Sequence, residues 1–110
     1  NHPLYNSLDK LTNLLQLTFN DFNNFNKPLN NSLNNLTNLL ELTFGMRFNQ
    51  HLGNSLNNLT NLRKLTFGMM FNKPLGNSLN NLTNLRKLNI KNDDYNLPLN
   101  DKLSKIIVYQ

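Results

Sequence analysis

The stretch Phe48–Met70, FNQHLGNSLNNLTNLRKLTFGMM, decides how the chain is read, because the residues on either side repeat it. From Phe71 the chain reads FNKPLGNSLNNLTNLRKLNI, and from Phe25 it reads FNKPLNNSLNNLTNLLELTFGMR. The leading aromatic recurs after 23 residues twice (48 − 25; 71 − 48) and then after 24, at Tyr95 (95 − 71). A fixed period of this length marks stacked repeats, in which each unit buries its apolar side only against its neighbours.

Outward from that stretch the whole chain divides into a single array with units 1–24, 25–47, 48–70, 71–94 and a shortened terminal unit, 95–110. Unit 1–24 lacks the leading Phe and carries two additional residues within 20–24. Unit 71–94 carries one more within 91–94, so both insertions fall in the same loop and map to one side of the stack. The terminal unit opens as YNLPL, and LSKIIV at 103–108 aligns with LRKLNI at 85–90. That alignment sets Ile106 beside Leu88 and Val108 beside Ile90, and it makes this unit a C-terminal cap. The chain opens on Asn1, in the middle of a repeat, which fits a piece of a longer protein.

Within a unit, Glu41–Phe44 alternates polar and apolar residues and contains Thr and Phe, as a strand does. Leu33, Leu36 and Leu39 are three apart, the spacing of 3₁₀-like or irregular turns. Asn and Ser between them compete for backbone hydrogen bonds and argue against a long α-helix. The fold expected is a leucine-rich-repeat-like solenoid: short parallel strands stacked in one sheet, with irregular or 3₁₀ turns on the opposite face. Leucine columns, the column Phe19, Phe44, Phe67, Ile90 and Val108, and the column Phe25, Phe48, Phe71 and Tyr95 form its core. Asn26, Asn49, Asn72 and Asn96 follow the aromatics, and a stacked amide both donates and accepts, so they are assigned a structural role. Gly45 and Gly68 follow the strands and are expected in left-handed turns.

Composition narrows the function. The 110 residues contain no cysteine, which removes disulfides and thiolate metal sites and fits a reducing, cytoplasmic setting. No apolar run reaches the roughly 18–20 residues of a membrane span. The formal charge of +5 is spread over several repeats, so solubility is its first reading and attraction to anions its second. His2 and His51 occupy different repeat positions, and neither has a nucleophile or carboxylate at a recurring position beside it. Catalytic residues, a metal site and a cofactor are therefore not assigned. Asn30, Asn35, Asn58 and Asn81 match N-x-[ST], which the repeat itself accounts for.

The pattern L-x-x-L-x-F-G-x-x-F-N-x-P-L resembles the FNIP repeat, a leucine-rich-repeat relative of about 22 residues found in slime moulds and amoeba-infecting giant viruses. FNKPL at Phe25–Leu29 and Phe71–Leu75 carries the likeness, with YNLPL at Tyr95–Leu99 and a degenerate FNQHL at Phe48–Leu52. At the third position of the motif Lys27, Gln50, Lys73 and Leu97 stand where the name has Ile, and His51 stands in place of one Pro. The resemblance covers nearly the whole chain. It implies a solenoid used for protein–protein contact, in the host cytoplasm if the source is viral. Some viral members carry an F-box ahead of the repeats, which would make the array the substrate-recognition part of a ubiquitin ligase.

Outward strand positions are the expected partner-binding face. One row is Gln16, Glu41, Lys64, Lys87 and Lys105; the next is Thr18, Thr43, Thr66, Asn89 and Ile107; Arg63 and Arg86 lie beside them. The strip grades from neutral or acidic to basic and would orient an acidic protein partner. Nucleic acid is the weaker alternative, because the aromatics that would stack on bases are expected in the core. A third reading is self-association through the strand edges at the array ends.

Overall fold

A computed structural model describes residues 13–19 and 25–109, the last two by backbone alone. Each unit contributes one strand: β1 Gln16–Thr18, β2 Glu41–Thr43, β3 Lys64–Phe67, β4 Lys87–Ile90 and β5 Ile107–Tyr109, with one helix, α1 Asp101–Ile106, before the last. The strands form one open, five-stranded parallel sheet in chain order. Gln16, Glu41, Lys64 and Lys87 stand in register, as do Leu17, Leu42, Leu65 and Leu88. The longer loop expected at 20–24 lies outside the described residues.

The leucines spaced by three behave as the spacing predicts. Leu36 N–H donates to Leu33 O and Leu39 N–H to Leu36 O, each at 3.0 Å, and the same pairs recur at Leu59 and Leu62 and at Leu82 and Leu85. These are i→i−3 bonds, whose three-residue turn returns every third side chain to one side. Leu33, Leu36, Leu39 and Leu42 are fully buried as a result, their equivalents in units 48–70 and 71–94 are buried too, and Leu14 and Leu17 at the start of the array are partly buried.

Two columns of rings stack along the array. Phe19, Phe44 and Phe67 follow one another at 5.3 and 5.4 Å between centroids, and Phe25, Phe48, Phe71 and Tyr95 at 5.9, 6.2 and 6.0 Å. The columns touch where one unit passes into the next, at 4.2 Å for Phe44–Phe48 and 4.0 Å for Phe67–Phe71. Tyr95 ends its column, and its hydroxyl donates to Lys73 O at 2.9 Å, a carbonyl that Phe could not reach.

Asparagine supplies the bonds between turns that the sheet does not. Asn49 N–H donates to Asn26 Oδ1 and Asn72 N–H to Asn49 Oδ1, both at 2.8 Å. Asn61 and Asn84 donate through Nδ2 to Thr37 O and Thr60 O at 2.9 and 2.8 Å, and Asn58 reaches Asn34 O at 3.2 Å. At three repeat positions, side-chain amides thus tie units 25–47, 48–70 and 71–94 to the backbone of their neighbours.

Two expectations are corrected. Gly45 and Gly68 are not left-handed; the left-handed positions are Asn30 (φ 51°), Gly53 (52°) and Gly76 (49°), where the chain enters the next turn. Gly68 is required instead by close approach, because a Cβ there would lie 2.4 Å from Gly45 O. The terminal unit also does not pair as aligned. Asn100 Oδ1 caps α1 by accepting from Leu103 N–H at 2.9 Å, and the helix runs through Ile106. Ile107, not Ile106, then faces Leu88; Val108 faces Asn89; and Tyr109, not Val108, faces Ile90. A slip of one residue exchanges the two faces of a strand.

Candidate functional site: the outer face of the sheet

Alternation along each strand sends Leu17, Leu42, Leu65 and Leu88 into the core, so the residues on either side of them face outward. Across the sheet, Gln16 and Lys87 are exposed and Glu41 and Lys64 half-buried. One step along, Thr18 is exposed and Thr43 half-buried, while Thr66 and Asn89 are 5% and 6% exposed. The structure therefore brings the two predicted rows together over four strands; the first stays accessible throughout, and the second closes from the exposed Thr18 to the buried Thr66 and Asn89.

Lys105 does not belong to the row. It is an exposed residue in the last turn of α1, and Ile107 lines up with the inward Leu88 rather than with Asn89. The reason is the capped helix, which consumes the residues that extended chain uses elsewhere.

Charge is concentrated on β3 and β4. Lys64 stands directly opposite Lys87, and the exposed Arg63 and Arg86 immediately precede them. Glu41 is the register neighbour of Lys64, yet its carboxylate accepts from Gln16 Nε2 at 3.4 Å, and no ion pair joins it to Lys64. Among the described residues the four cations have no acidic partner. Like charges directly opposite across strands destabilise the pair.

A feature that sequence reasoning missed lies at the far end of the strands. Thr18, Thr43, Met46, Gly68, Met69 and Lys91 contribute to a hollow of about 360 Å³. Met69 is 60% exposed, and Met46 is half-buried. The signal was present, since Met46 and Met69 occupy the same repeat position one period apart, but an apolar residue at a repeat position reads as core. Gly68 lines the hollow where its backbone comes against that of Gly45.

Asn89 completes the face from within. Its Oδ1 is buried without a hydrogen-bond partner, the one such side-chain atom among the described residues. A second, shallower depression of about 620 Å³ runs between Pro28–Asn31 and His51–Ser55, where His51 is exposed. His2 lies outside the described residues. Among the described residues no group of three or more His, Cys, Asp or Glu side chains converges on a metal-sized site. None of their helices is long and apolar enough to cross a membrane. Of the N-x-[ST] asparagines, Asn58 has its Nδ2 engaged in a ladder, as does Asn81 at 3.5 Å. Compared with models of protein families, with curated proteins and with solved structures, the chain matches none.

Proposed function

We propose that the chain is a stretch of leucine-rich-repeat-like solenoid of the FNIP type and acts as a non-enzymatic protein–protein interaction module. The outer face of its sheet is the contact surface. The observation that carries this reading is the Lys64–Lys87 pair with Arg63 and Arg86 beside it, unneutralised among the described residues. Such an arrangement costs stability in the free chain, and an acidic partner would relieve it. In a longer F-box-bearing protein the same face would select the substrate of a ubiquitin ligase, as the family resemblance implies.

Affinity capture from amoebal lysate with the chain and with its K64E/K87E variant tests the reading. Proteins retained by the first and lost by the second are expected. K105E serves as a control, because Lys105 lies off the face, and it should retain the same proteins. Equal retention by K64E/K87E removes the face from the proposal, and loss of all retention on nuclease treatment replaces protein by nucleic acid.

A second reading rests on β1, whose outer edge has no strand partner among the described residues. Unpaired strand edges join other chains. Concentration-dependent association in sedimentation velocity, unaffected by K64E/K87E, would favour self-assembly.

A further inference from the structure

The cation cluster and the methionine-walled hollow lie on the same side of the sheet but at opposite ends of the strands. Arg63, Lys64, Arg86 and Lys87 sit where β3 and β4 begin. The hollow lies where the strands end, lined by the outward Thr18 and Thr43, by Phe19 and Phe44 from the core, and by Met46, Met69 and Lys91. Strands rise about 3.3 Å per residue and lie about 4.8 Å apart. The hollow is about three residues along the strands and one and a half strands across from the centre of the cations, or roughly 12 Å on the diagonal.

Resting on the interaction-module reading, we infer that the two features form one bipartite site for an extended acidic peptide. Two or more carboxylates of the partner bind Arg63, Lys64, Arg86 and Lys87, and one large apolar side chain enters the hollow. A diagonal of roughly 12 Å corresponds to about four residues of extended chain, and this sets the spacing of acid and anchor. The guanidinium groups of Arg63 and Arg86 suit carboxylates in particular, since each presents a planar fork of donors. Among the described residues no acid forms an ion pair with them, and Glu41, the acid nearest in register, accepts from Gln16 instead.

The same observations separate a peptide from a polynucleotide. A single strand of nucleic acid gains affinity by stacking bases on exposed aromatic rings. Phe19, Phe25, Phe44, Phe48, Phe67, Phe71 and Tyr95 are all buried here. The rings of Phe19 and Phe44 that line the hollow are buried at 7% and 2% exposure, and Met69 is the exposed apolar group there, which suits an aliphatic or aromatic side chain better than a stacked base.

The experiment is a fluorescence-anisotropy titration of the whole chain with labelled peptides. Each peptide carries a run of glutamates, a serine–glycine spacer of about one to eight residues, and a single leucine, with the order also reversed. Affinity should peak at a spacer near four residues in one of the orders and fall roughly tenfold when leucine is replaced by serine. M69Q should remove the leucine dependence while leaving the weaker, salt-sensitive binding of the glutamates. K64Q/K87Q should weaken every peptide by about tenfold or more, and K105Q should change nothing. The neutral substitutions relieve the Lys–Lys repulsion, so they preserve the fold, which circular dichroism verifies for each variant.

Equal binding of leucine and serine peptides, or an affinity that ignores the spacer, overturns the bipartite site. So does an oligonucleotide that competes as well as the best peptide. If lysate proteins are still captured in a face-dependent way while the peptides fail, the partner class is wrong and the interaction module stands. If both fail, the two readings fall together.

Discussion

Replacing Gly68 by Ala tests whether the stacking distance of the units is set by glycine at the strand ends. An added Cβ would lie 2.4 Å from Gly45 O and 2.7 Å from Gly45 C and Met46 Cα. Real Cβ atoms essentially never come within 3.0 Å of such neighbours, so the two turns must part by at least 0.6 Å (3.0 − 2.4). All three neighbours are backbone, and that backbone is tied down: Met70 N–H donates to Met46 O at 3.0 Å and Phe44 N–H to Thr66 O at 2.8 Å. Overpacking of this kind costs about 1–3 kcal/mol, at the upper end where no side chain can give way. The lower entropy of the unfolded alanine chain returns about 0.4–1 kcal/mol. The net loss is about 2 kcal/mol, which lowers Tm by roughly 8–15 °C in a domain of this size. Gly53→Ala is the control. Its φ of +52° strains alanine, but nothing lies within 4 Å of the added atom. Left-handed strain of about 1–2 kcal/mol, less the same entropic gain, leaves a loss of about 0.5–1 kcal/mol. Thermal and urea unfolding followed by circular dichroism measures both. A Gly68→Ala protein that melts with or above the parent would refute the close-approach argument, and so would a larger loss at Gly53.

Two further substitutions probe polar accounting in the array. Asn89→Thr removes the orphaned buried Oδ1 and installs the residue that its neighbour Thr66 already carries at the same position, so a gain of about 1–2 kcal/mol in urea unfolding is expected; a loss would mean that the carbonyl has a partner. Asn49→Ala takes the acceptor from Asn72 N–H and should cost about 1 kcal/mol, whereas Asn49→Asp keeps an acceptor at the same place and should cost less than half of that, a ranking that equilibrium unfolding of the pair decides.

Much of the fold was legible because the same side chain recurs wherever the same burial recurs. The three-residue leucine spacing, the alternation at Glu41–Phe44 and the two aromatic columns each reported one structural environment, repeated. Legibility failed where the repeat failed. In unit 95–110 the residues LSKIIV align with LRKLNI by type, but the Asn100 cap turns that segment into helix through Ile106 and moves the strand by one residue. Alignment by residue type ignores a cap, and a single cap decided that Ile107 and not Ile106 pairs with Leu88 of β4. Gly45 and Gly68 were misread for a related reason. Glycine permits both positive φ and close approach, and only the neighbouring turn distinguishes them.

The candidate site was legible in its rows and illegible in its depth. Register pairing joins Gln16, Glu41, Lys64 and Lys87 whatever their chemistry, since parallel strands in register bond through backbone alone. Inward positions do not have that freedom. Leu17, Leu42, Leu65 and Leu88 are the same residue in four units, because each must fit between the turns before and after it. Outward positions change from Gln to Glu to Lys while the register of the strands stays the same. On the proposed reading of the chain as an interaction module, what distinguishes one such array from another must therefore be written in the outward rows and in the loops that border them. Here that means a pair of opposed lysines, two arginines and a methionine wall. Opposed lysines are the residues that packing has least reason to choose, since they gain nothing from the core and repel each other across the ladder. That cost is the physical ground for placing the partner's carboxylates there rather than on the ladders of asparagine, whose amides are already bonded to the neighbouring turns.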